Sequence, residues 1–581
     1  MTVQLKQKPL HRRLLPAGDL SARGLWLAAC AIAAFKIVLC SRQMVHAFPD
    51  ASPIDDELML NLAKSITAGS WLGEYGWLTL GKHSFYALWL ALMNGLHLNV
   101  IVGGQLLFAA GCFVLLFALR PVMRTAWARL FVFAAVLYAP ASWAQYTLRV
   151  YRDNIYPSLV LLALSGLLGA FVRVRQPPRR ALPYLIIAGL SLAAAWLCHE
   201  DNALLLPFVA CGAAVYAAAL FCGRDITRRG ARLALLLVPL AVWAGGIAAW
   251  CGVNAGWYGR FIVSDFTSRE FEDAMGALAR ACPDAQRRYV LVPRSTRYAL
   301  YEVSPTFALL RDTLETKPMY TAYGNPKEGE FNSGGIHWAL RRAAWLAGFY
   351  DTAQTAEAFW RAVADEINAA CDAGLVPAGP RQSGIFAPVK PEYIFPTLGK
   401  FLEEIRVLLL FEQTDPRAPL TWATQERLAD WDSYTHCTSS GSAIPYTDIP
   451  YYPPSAHAAY AVLDCIAWIQ RVLLWPMLAL AAVWLRRFVP RFVRAVRQKE
   501  LTPPLAGGML LLGFFLTGLL RMAAIAYLMA VSMSIGISLM YLSAACAPML
   551  AFLACASALW AEQRFCPAPE EPGRAFGARA L

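Results

Sequence analysis

The residues of this sequence that are best suited to chemistry fall into three short polar segments and one isolated position. These residues are Asp55 and Asp56 with Lys82 and His83; Arg149, Arg152 and Asp153; His199, Glu200 and Asp201; and Arg521. Neighbouring carboxylates can act as a general base toward a hydroxyl or an amine, or can hold a divalent cation. Lysine and arginine bind phosphate, and arginine does so as a planar fork. Together these residue types predict chemistry on a phosphate-bearing substrate.

The composition indicates which elements carry these segments. Hydrophobic residues make up 58% of the 581 positions and charged residues 16%, whereas soluble domains have about 45–50% and about 25%. The excess forms blocks of roughly 17–25 apolar residues, the length that crosses a bilayer. We therefore expect an α-helical polytopic membrane protein with about ten transmembrane helices. The expected spans are 24–41, 100–119, 130–147, 155–172, 182–198, 203–222, 233–253, 459–485, 506–529 and 537–560.

The basic residues predict the orientation of these helices. Many of the arginines behind the net charge of +13 lie in short loops between apolar blocks, and loops rich in arginine stay in the cytoplasm. The charge therefore requires no nucleic-acid partner. Alternation of the spans puts every arginine-rich loop on one side and the three polar segments on the opposite, external face. Arg521 falls inside the ninth span, where an unpaired charge is costly.

Four regions follow from this topology. We expect a transmembrane module over 1–253, an extracytoplasmic domain over 254–457, transmembrane helices over 458–562 and a cytoplasmic tail over 563–581. The first external loop, 42–98, carries the two adjacent aspartates, and apolar residues at helical spacing predict interfacial helices within it. The extracytoplasmic domain is predicted to be mixed and mainly helical. If it faces an oxidising compartment, Cys282 and Cys371 are candidates for a disulfide.

An external cleft that combines carboxylates, cations and an interfacial platform suits one reaction in particular. It can take a sugar from a lipid-linked phosphate and pass that sugar to an acceptor. The leaving group is then the lipid phosphate, whose developing charge Lys82 and Arg521 can stabilise. The simpler alternative is that external loops carry charges because they are wet. That alternative explains Arg521, inside an apolar span, least well.

The arrangement resembles the GT-C superfamily of integral membrane glycosyltransferases, which includes protein O-mannosyltransferases and lipid A aminoarabinose transferases. Those enzymes have an essential aspartate in the first external loop, followed by interfacial helices, as in SPIDDELMLNLAKSITAGSWLGEYGWLTLGKHSFYALWLALMNGLHLN. The R..RD segment that ends at Asp153 resembles their second acidic site. HEDN at 199–202 and the late Arg521 resemble features of an uncharacterised bacterial subgroup, from which His83 and His199 depart by replacing glycine and arginine.

The resemblance implies a polyprenyl-phosphate sugar donor, a glycan, lipid or protein acceptor, and inversion at the anomeric carbon. It also implies a multi-pass protein of the bacterial inner membrane whose active site faces the periplasm or the outside. Asp55 and Asp56 would be catalytic, with either one as the base, and the other nine residues of the polar set would bind substrate. Metal dependence varies within the superfamily, so a Mg²⁺ or Mn²⁺ ion at Asp55 and Asp153 stays open. His337 and Trp338 are further candidates for contact with the acceptor.

These residues also have plainer explanations. Asp55 is placed to cap a helix, Asp153 can pair with Arg149 or Arg152, and Lys82 can extend along the interface. The alternative function is a transporter or flippase for a lipid or a polar solute. A transporter typically shows inverted repeats and carries its charges at the bilayer midplane, and this sequence has no detectable repeat. A receptor or scaffold would leave the polar segments unexplained.

Overall fold

The computed structural model describes residues 19–48, 53–222, 226–384, 389–442, 453–533 and 535–566. Helices make up nearly all of its regular structure. The first half of the chain contains α1 (Ala22–Cys40), α2 (Asp56–Thr67), α3 (Phe85–Gly95), α4 (Val100–Ala118), α5 (Ala126–Leu137), α6 (Tyr156–Phe171), α7 (Pro178–Cys198), α8 (Leu206–Cys222), α9 (Arg229–Ala234) and α10 (Leu237–Tyr258). The second half contains α11 (Arg269–Arg280), α12 (Arg294–Val303), α13 (Pro305–Ala308), α14 (Arg311–Leu314), α15 (Lys317–Tyr323), α16 (Ile336–Leu346), α17 (Ala353–Asp372), α18 (Ile394–Leu410), α19 (Gln425–Thr435), α20 (Pro454–Arg497), α21 (Pro503–Val531) and α22 (Leu539–Phe565).

The remaining regular elements are short. The 3₁₀ helices are Pro140–Ser142, Gln145–Leu148, Arg152–Asn154, Glu200–Leu205, Pro283–Ala285 and Pro391–Tyr393. Two strand pairs of two residues each complete the set: β1 (Gly324–Asn325) pairs antiparallel with β2 (Glu330–Phe331), and β3 (Thr421–Trp422) pairs parallel with β4 (Gly441–Ser442). No larger sheet forms in the described ranges, so helix packing alone positions the site.

Eight helices in the described part of the chain are long and apolar enough to cross a membrane. They are Ala22–Cys40, Val100–Ala118, Pro178–Cys198, Glu200–Cys222, Arg229–Tyr258, Pro454–Arg497, Pro503–Val531 and Leu539–Phe565. A bent pair, Ala126–Leu137 with Pro140–Leu148, brings the number to nine if it counts as one span. The chain is thus an α-helical membrane protein. The described residues thus contain fewer candidate spans than the ten predicted. The fourth predicted span corresponds to α6, which has only 16 residues.

The predicted span 130–147 is broken because of a proline. The two halves meet at an angle of 58°, and Pro140 begins the second half. Proline lacks the N–H that would continue the helical hydrogen bonds, and its ring clashes with the preceding turn. Lys36 of α1, which is fully buried, donates a hydrogen bond of 2.7 Å to Ser142 Oγ just after the break.

Helix α6 lies at the centre of the bundle, and all of its residues are buried. It packs against α4, α7 and α22. At Gly166 a Cβ atom would lie 2.8 Å from the backbone oxygen of Tyr184, and small residues of this kind let membrane helices approach closely. The 3₁₀ turn Arg152–Asn154 directly precedes α6, so this helix holds the second polar segment at the middle of one end of the bundle.

The insert between α10 and α20 has its own core, built mainly by α11 to α17. The sequence predicts helical stretches at 270–282, 335–348 and 356–373 of this insert, and these correspond to α11, α16 and α17. Arg297 is completely buried there and pairs with Glu315 at 2.7 Å. The thiols of Cys282 and Cys371 are both free in the structure, as are all the other cysteines of the chain.

Labelling of an engineered cysteine tests the predicted side of this insert. Glu328 lies on the insert, and more than half of its side chain is exposed. In a chain whose exposed Cys211 and Cys465 are replaced by serine, we expect Glu328→Cys to react with an impermeant maleimide in intact cells. Gln498→Cys, in a predicted cytoplasmic loop after α20, is the control and should react only after lysis. Protection of position 328 in intact cells would contradict the predicted topology.

Candidate functional site

The adjacent aspartates lie at the start of α2, but neither uses its carboxylate to cap that helix in the usual way. Asp55 occupies the N-cap position, and its side chain makes no hydrogen bond to the first turn. The carboxylate points instead toward the loop that contains Lys82 and toward the segment that contains Arg149. The capping explanation for Asp55 is therefore wrong for its side chain, which is available for other contacts.

The Asp55 carboxylate is surrounded by donors. Lys82 Nζ pairs closely with Oδ1, the Tyr151 hydroxyl donates to the same oxygen at 3.1 Å, and Arg149 Nη2 lies 3.4 Å from Oδ2. Burial opposes ionisation, but Lys82 and Arg149 outweigh it and lower the pKa of Asp55 to about 2. With 26% of its side chain exposed, Asp55 is an ionised carboxylate that a substrate can reach.

Asp56 has the opposite character, although it is the next residue. Its side chain is completely buried, and Arg149 Nε lies 2.7 Å from Oδ1. The backbone N–H of Phe48 donates to Oδ2 at 2.9 Å. Burial raises the pKa of Asp56 to about 7 despite the arginine. Two adjacent carboxyl groups with pKa values pushed apart are suited to different tasks, and only Asp55 is accessible.

Lys82 joins this first cluster to the insert. Its ammonium is almost fully buried and donates to the Tyr151 hydroxyl at 2.9 Å. It also lies 5.4 Å from the ring centre of Trp338, which belongs to α16. A cation over an indole face is stabilised by the ring quadrupole. Burial lowers the pKa of Lys82, and Asp55 opposes that effect. The insert thus contributes directly to the surroundings of this ammonium group.

A second cluster forms around Glu200, at the end of α7. Arg152 Nη1 donates to both carboxylate oxygens at 2.7 Å. The backbone N–H of His83 lies 3.4 Å from Oε1, and the His83 imidazole contacts the backbone oxygen of Trp196 through Nδ1 at 2.5 Å. Burial lowers the pKa of His83, so its ring is neutral. His83 therefore connects the first external loop to α7 without adding charge.

A third cluster surrounds Asp201. Arg521 Nη1 of α21 lies 2.5 Å from Oδ2, the Tyr156 hydroxyl donates to Oδ1 at 2.9 Å, and His199 Nδ1 lies 2.8 Å from the same oxygen. The rings of His199 and Tyr156 stack at 4.7 Å, and Arg521 also donates from Nε to the Tyr541 backbone oxygen at 3.0 Å. Arg521 thus has an acidic partner, as a buried structural arginine would, and stays close to the rest of the site.

Asp153 lies between the clusters. It is almost completely buried, and within the described residues its Oδ1 atom has no hydrogen-bond partner. A direct ion pair with Arg149 or Arg152, the plainer alternative for this residue, does not form, although His199, Arg152 and Arg521 all lower its pKa electrostatically. Burial outweighs them and raises the pKa of Asp153. A buried carboxyl group that is surrounded by cations and not fully bonded is a candidate for contact with substrate.

Ten of the eleven polar residues singled out in the sequence lie in these three connected clusters, and Asp153 lies between the clusters. The sequence analysis missed the tyrosines of these clusters. Tyr151 contacts Asp55 and Lys82, Tyr156 contacts Asp201 and Arg521, and the backbone oxygen of Tyr541 accepts from Arg521. The available sequence signal was the position of two of these tyrosines. Tyr151 directly precedes Arg152, and Tyr156, one turn after Arg152, begins α6. Of the two candidates in the insert, Trp338 lies beside Lys82, whereas His337 is buried and packs near Phe266.

The geometry also tests the fit of a divalent cation. Both Asp55 oxygens already contact cationic side chains, so a metal ion at this carboxylate would have to displace Lys82 and Arg149. In the described part of the chain, no group of three or more His, Cys, Asp or Glu side chains is arranged to hold a metal ion. The donor set of Asp55 with Asp153 therefore fits a metal ion poorly.

An apolar cavity of about 230 Å³ is lined in part by residues that neighbour the polar clusters in sequence. Its lining includes Leu519, Met522 and Leu539 and residues of α18, α20 and α22. Met522 follows Arg521 in the chain, and Leu539 precedes Met540, whose sulfur lies 3.6 Å from Arg149 Nη1. The cavity wall and the polar contacts of Arg521 and Met540 are thus made by consecutive residues of α21 and α22. An apolar chain that ends in a charged headgroup matches such a pair of surfaces.

The difference between the aspartates predicts how stability depends on pH. The raised pKa of Asp56 means that the folded state binds a proton that the unfolded state releases between about pH 4 and pH 7. The stability that this proton contributes is present at low pH and is lost as the pH rises toward 7. We expect wild-type Tm minus Asp56→Asn Tm to be larger at about pH 5 than at about pH 8. Asp55→Asn is the control. Because the pKa of Asp55 is about 2, the Tm difference between the wild type and Asp55→Asn should be the same at the two pH values. An unchanged difference for Asp56→Asn would contradict the assignment.

Comparison of the chain with family models, with curated proteins and with solved structures gives no match.

Proposed function

We propose that this membrane protein is a glycosyltransferase that moves a sugar from a polyprenyl-phosphate donor to an extracytoplasmic acceptor. The observation that carries the proposal is the ionised, accessible Asp55 carboxylate, held by Lys82 and Arg149. The same bundle has an apolar cavity lined by residues of α21 and α22. A carboxylate base, cations for a phosphate and an apolar surface for a lipid chain are the three parts that this reaction needs. The acceptor is a glycan, a lipid or a protein.

Asp55 is the proposed base. It removes the proton of an acceptor hydroxyl while the acceptor oxygen forms a bond to the anomeric carbon of the sugar. The bond from that carbon to the phosphate oxygen breaks, and the electron pair leaves with the polyprenyl phosphate. Attack from the face opposite the leaving group inverts the anomeric centre. Asp56 is buried and paired with Arg149, so its proposed role is to orient that guanidinium and not to react.

Donor binding would activate the base. A carboxylate with a pKa near 2 is a weak base, because catalysis by proton transfer works best when the pKa is near the working pH. A phosphate group that draws Lys82 and Arg149 toward itself removes the two contacts that lower this pKa. The same cations then face the charge that builds on the leaving phosphate. Asp55 therefore becomes a stronger base only when the donor is in place.

The apolar cavity supports a lipid-linked donor. Arg521 and Met522 are consecutive residues of α21, with Arg521 in the third cluster and Met522 in the cavity wall. An isoprenoid chain in the cavity would thus bring its phosphate to the arginines. His199, Glu200 and Asp201 with Arg152, Asp153 and His83 would surround the sugar. A Mg²⁺ or Mn²⁺ ion is not required by this scheme.

The depth of the site disfavours the alternative, a transporter or flippase. A transporter binds its cargo near the midplane, where helices are interrupted. Here Asp55 lies in a loop, Asp201 lies at the start of a candidate span, and Arg521 lies ten residues before the end of α21. The carboxylates therefore belong to one end of the bundle, and Arg521 pairs with Asp201 from a position further inside α21. We propose that this end faces the periplasm or the outside of a bacterial inner membrane.

A donor panel tests the proposal. Purified protein in liposomes is incubated with radiolabelled polyprenyl-phosphate sugars, and consumption of the labelled donor is measured. We expect one sugar to be consumed by the wild type and not by Asp55→Asn. If no donor is consumed but a fluorescent lipid or a solute crosses the liposome membrane, the transporter is the better explanation.

A further inference from the structure

Helix α18, within the insert, has its polarity reversed relative to a helix of a water-soluble domain. Several of its large apolar side chains are exposed: Phe395 is 81% exposed, Leu402 57% and Leu398 50%. Ile394 and Leu410 continue the same side of the helix. Soluble helices direct such residues toward the core and charged residues toward water. An exposed apolar face of this length indicates either a partner or a membrane.

The buried side of α18 completes the reversal. Glu404 is fully buried between α18 and the rest of the protein, and neither of its carboxyl oxygens has a hydrogen-bond partner among the described residues. Val407 is buried on the same side, and Lys400 and Glu403 pair with each other at 2.9 Å on the flank. Arg406, one turn before the end of α18, is the exception: its side chain is 58% exposed and pairs with Glu412 at 3.2 Å. Glu404, Lys400 and Glu403 point inward or toward the edge of the helix, as in helices that face lipid.

The neighbours of α18 place it beside a membrane span. Helix α18 packs along α21, a candidate span. Its first half lines one cavity together with Ala523 and Tyr527, and its second half lines the apolar cavity together with Leu519 and Met522. These α21 residues lie on both sides of Arg521, well inside the span. Since α18 has 17 residues, it is about 26 Å long, close to the thickness of the hydrocarbon core.

We propose that α18 is embedded in the membrane and that its exposed face, formed by Phe395, Leu398 and Leu402, contacts the acyl chains of the bilayer. The proposed lipid contact extends to α21, where Leu516 and Leu520 are also exposed. A water-facing α18 would expose five large apolar side chains and bury a carboxyl group, both of which cost free energy. In a bilayer the first cost disappears.

Two consequences follow for the insert. It is not wholly a water-soluble domain, because its last long helix lies at the depth of Arg521. In addition, α18 forms a wall of the apolar cavity through Ile405 and Leu408, so a single helix separates that cavity from the surrounding lipid. This inference concerns where α18 lies and holds whether or not the protein transfers sugar.

Site-directed spin labelling tests the proposal on the full-length protein in liposomes. Nitroxides are attached one at a time at Phe395→Cys, Leu398→Cys and Leu402→Cys, in a chain whose exposed Cys211 and Cys465 are serine. Glu328→Cys, on the water-exposed surface of the insert, is the control. We expect the ratio of collisions with oxygen to collisions with a water-soluble nickel complex to be several-fold higher at the three α18 positions than at position 328. A ratio equal to the control would overturn the proposal, and so would low collision rates with both reagents, which would show that protein covers this face.

A second measurement requires no substitution and covers the case in which labelled variants fail to fold. Wild-type protein is reconstituted with a phospholipid that carries a photoreactive group in its acyl chain, irradiated and digested, and the modified peptides are identified by mass spectrometry. We expect modification of peptides from 394–410 at a level like that of peptides from α21. Modification of α21 without modification of 394–410 would reject the proposed lipid contact.

Discussion

Replacing Asp55 with asparagine is expected to lower the rate of sugar transfer by about 10²- to 10⁴-fold, the usual contribution of a positioned general base. Asparagine keeps the size of the side chain and some of its hydrogen bonds to Lys82 and Tyr151, but it cannot accept the proton. Donor binding should change little, because the cations remain. The measurement is the initial rate of transfer in liposomes, with the donor Kd determined separately by displacement of a labelled donor.

Two neighbouring carboxylates serve as controls for that variant. Glu57→Gln alters a residue that pairs with Arg427 at 2.8 Å, away from the clusters, and should leave the rate within about twofold, as for most surface changes. Asp56→Asn should reduce the rate by less than Asp55→Asn, since Asp56 is buried and orients Arg149. Near-normal transfer by a folded Asp55→Asn/Asp56→Asn double variant would eliminate the carboxylate mechanism and favour transport.

Replacing Arg521 with alanine is expected to have a large effect on both stability and donor binding. The change leaves Asp201 without its cation between membrane helices, and breaking a buried ion pair in this way costs about 3–5 kcal/mol. Arg521→Lys should restore only part of the loss, because an ammonium group cannot form the contacts that the guanidinium makes with Asp201 and with the Tyr541 backbone. Tm in detergent and donor Kd are the measurements.

A double variant separates the structural role of Arg521 from the role in donor binding. In Arg521→Met/Asp201→Asn neither charge is left unpaired, so most of the lost Tm should return. Donor affinity should remain low if the guanidinium binds the phosphate. Recovery of both Tm and donor affinity would show that Arg521 only balances the charge of Asp201 and would remove it from the proposed phosphate site.

The long apolar and amphipathic helices were predictable because their residue patterns decide their structure locally. The two helices of the first external loop, at 55–69 and 87–98 by their apolar spacing, correspond to α2 and α3. The break at Pro140 and the short length of α6 were harder to predict. The residues on both sides of Pro140 are apolar, so hydropathy alone predicts one unbroken span. Helix α18 was missed because its mixture of charged and apolar residues resembles an ordinary segment of a polar insert, and only its packing against α21 reveals which side is buried.

The residues of the site were predictable to the extent that charge between membrane spans is costly wherever it occurs. That rule selects Asp153 and Arg521 without any knowledge of their neighbours. It cannot select Tyr151 or Tyr156, since tyrosine at the end of an apolar block has an ordinary place at a membrane interface. Nor could it separate Asp55 from Asp56. The difference between Asp55 and Asp56 arises from the side chains around them. The sequence does not indicate which of two adjacent residues at the start of a helix is buried.

The long-range pairing of Arg521 has a consequence for how the protein is made. The hydrogen bond from Arg521 to the Tyr156 hydroxyl joins residues 365 positions apart, and Asp201 shares the same arginine. During synthesis, Tyr156 and Asp201 enter the membrane long before the ribosome reaches α21. Until then a carboxylate near the end of a span has no cation from α21, which holds the nascent chain in a state that is costly in the bilayer. The helix bundle therefore becomes fully stable only after α21 has been made. Chains that end before α21 keep an unbalanced charge, by which cellular quality control can recognise them.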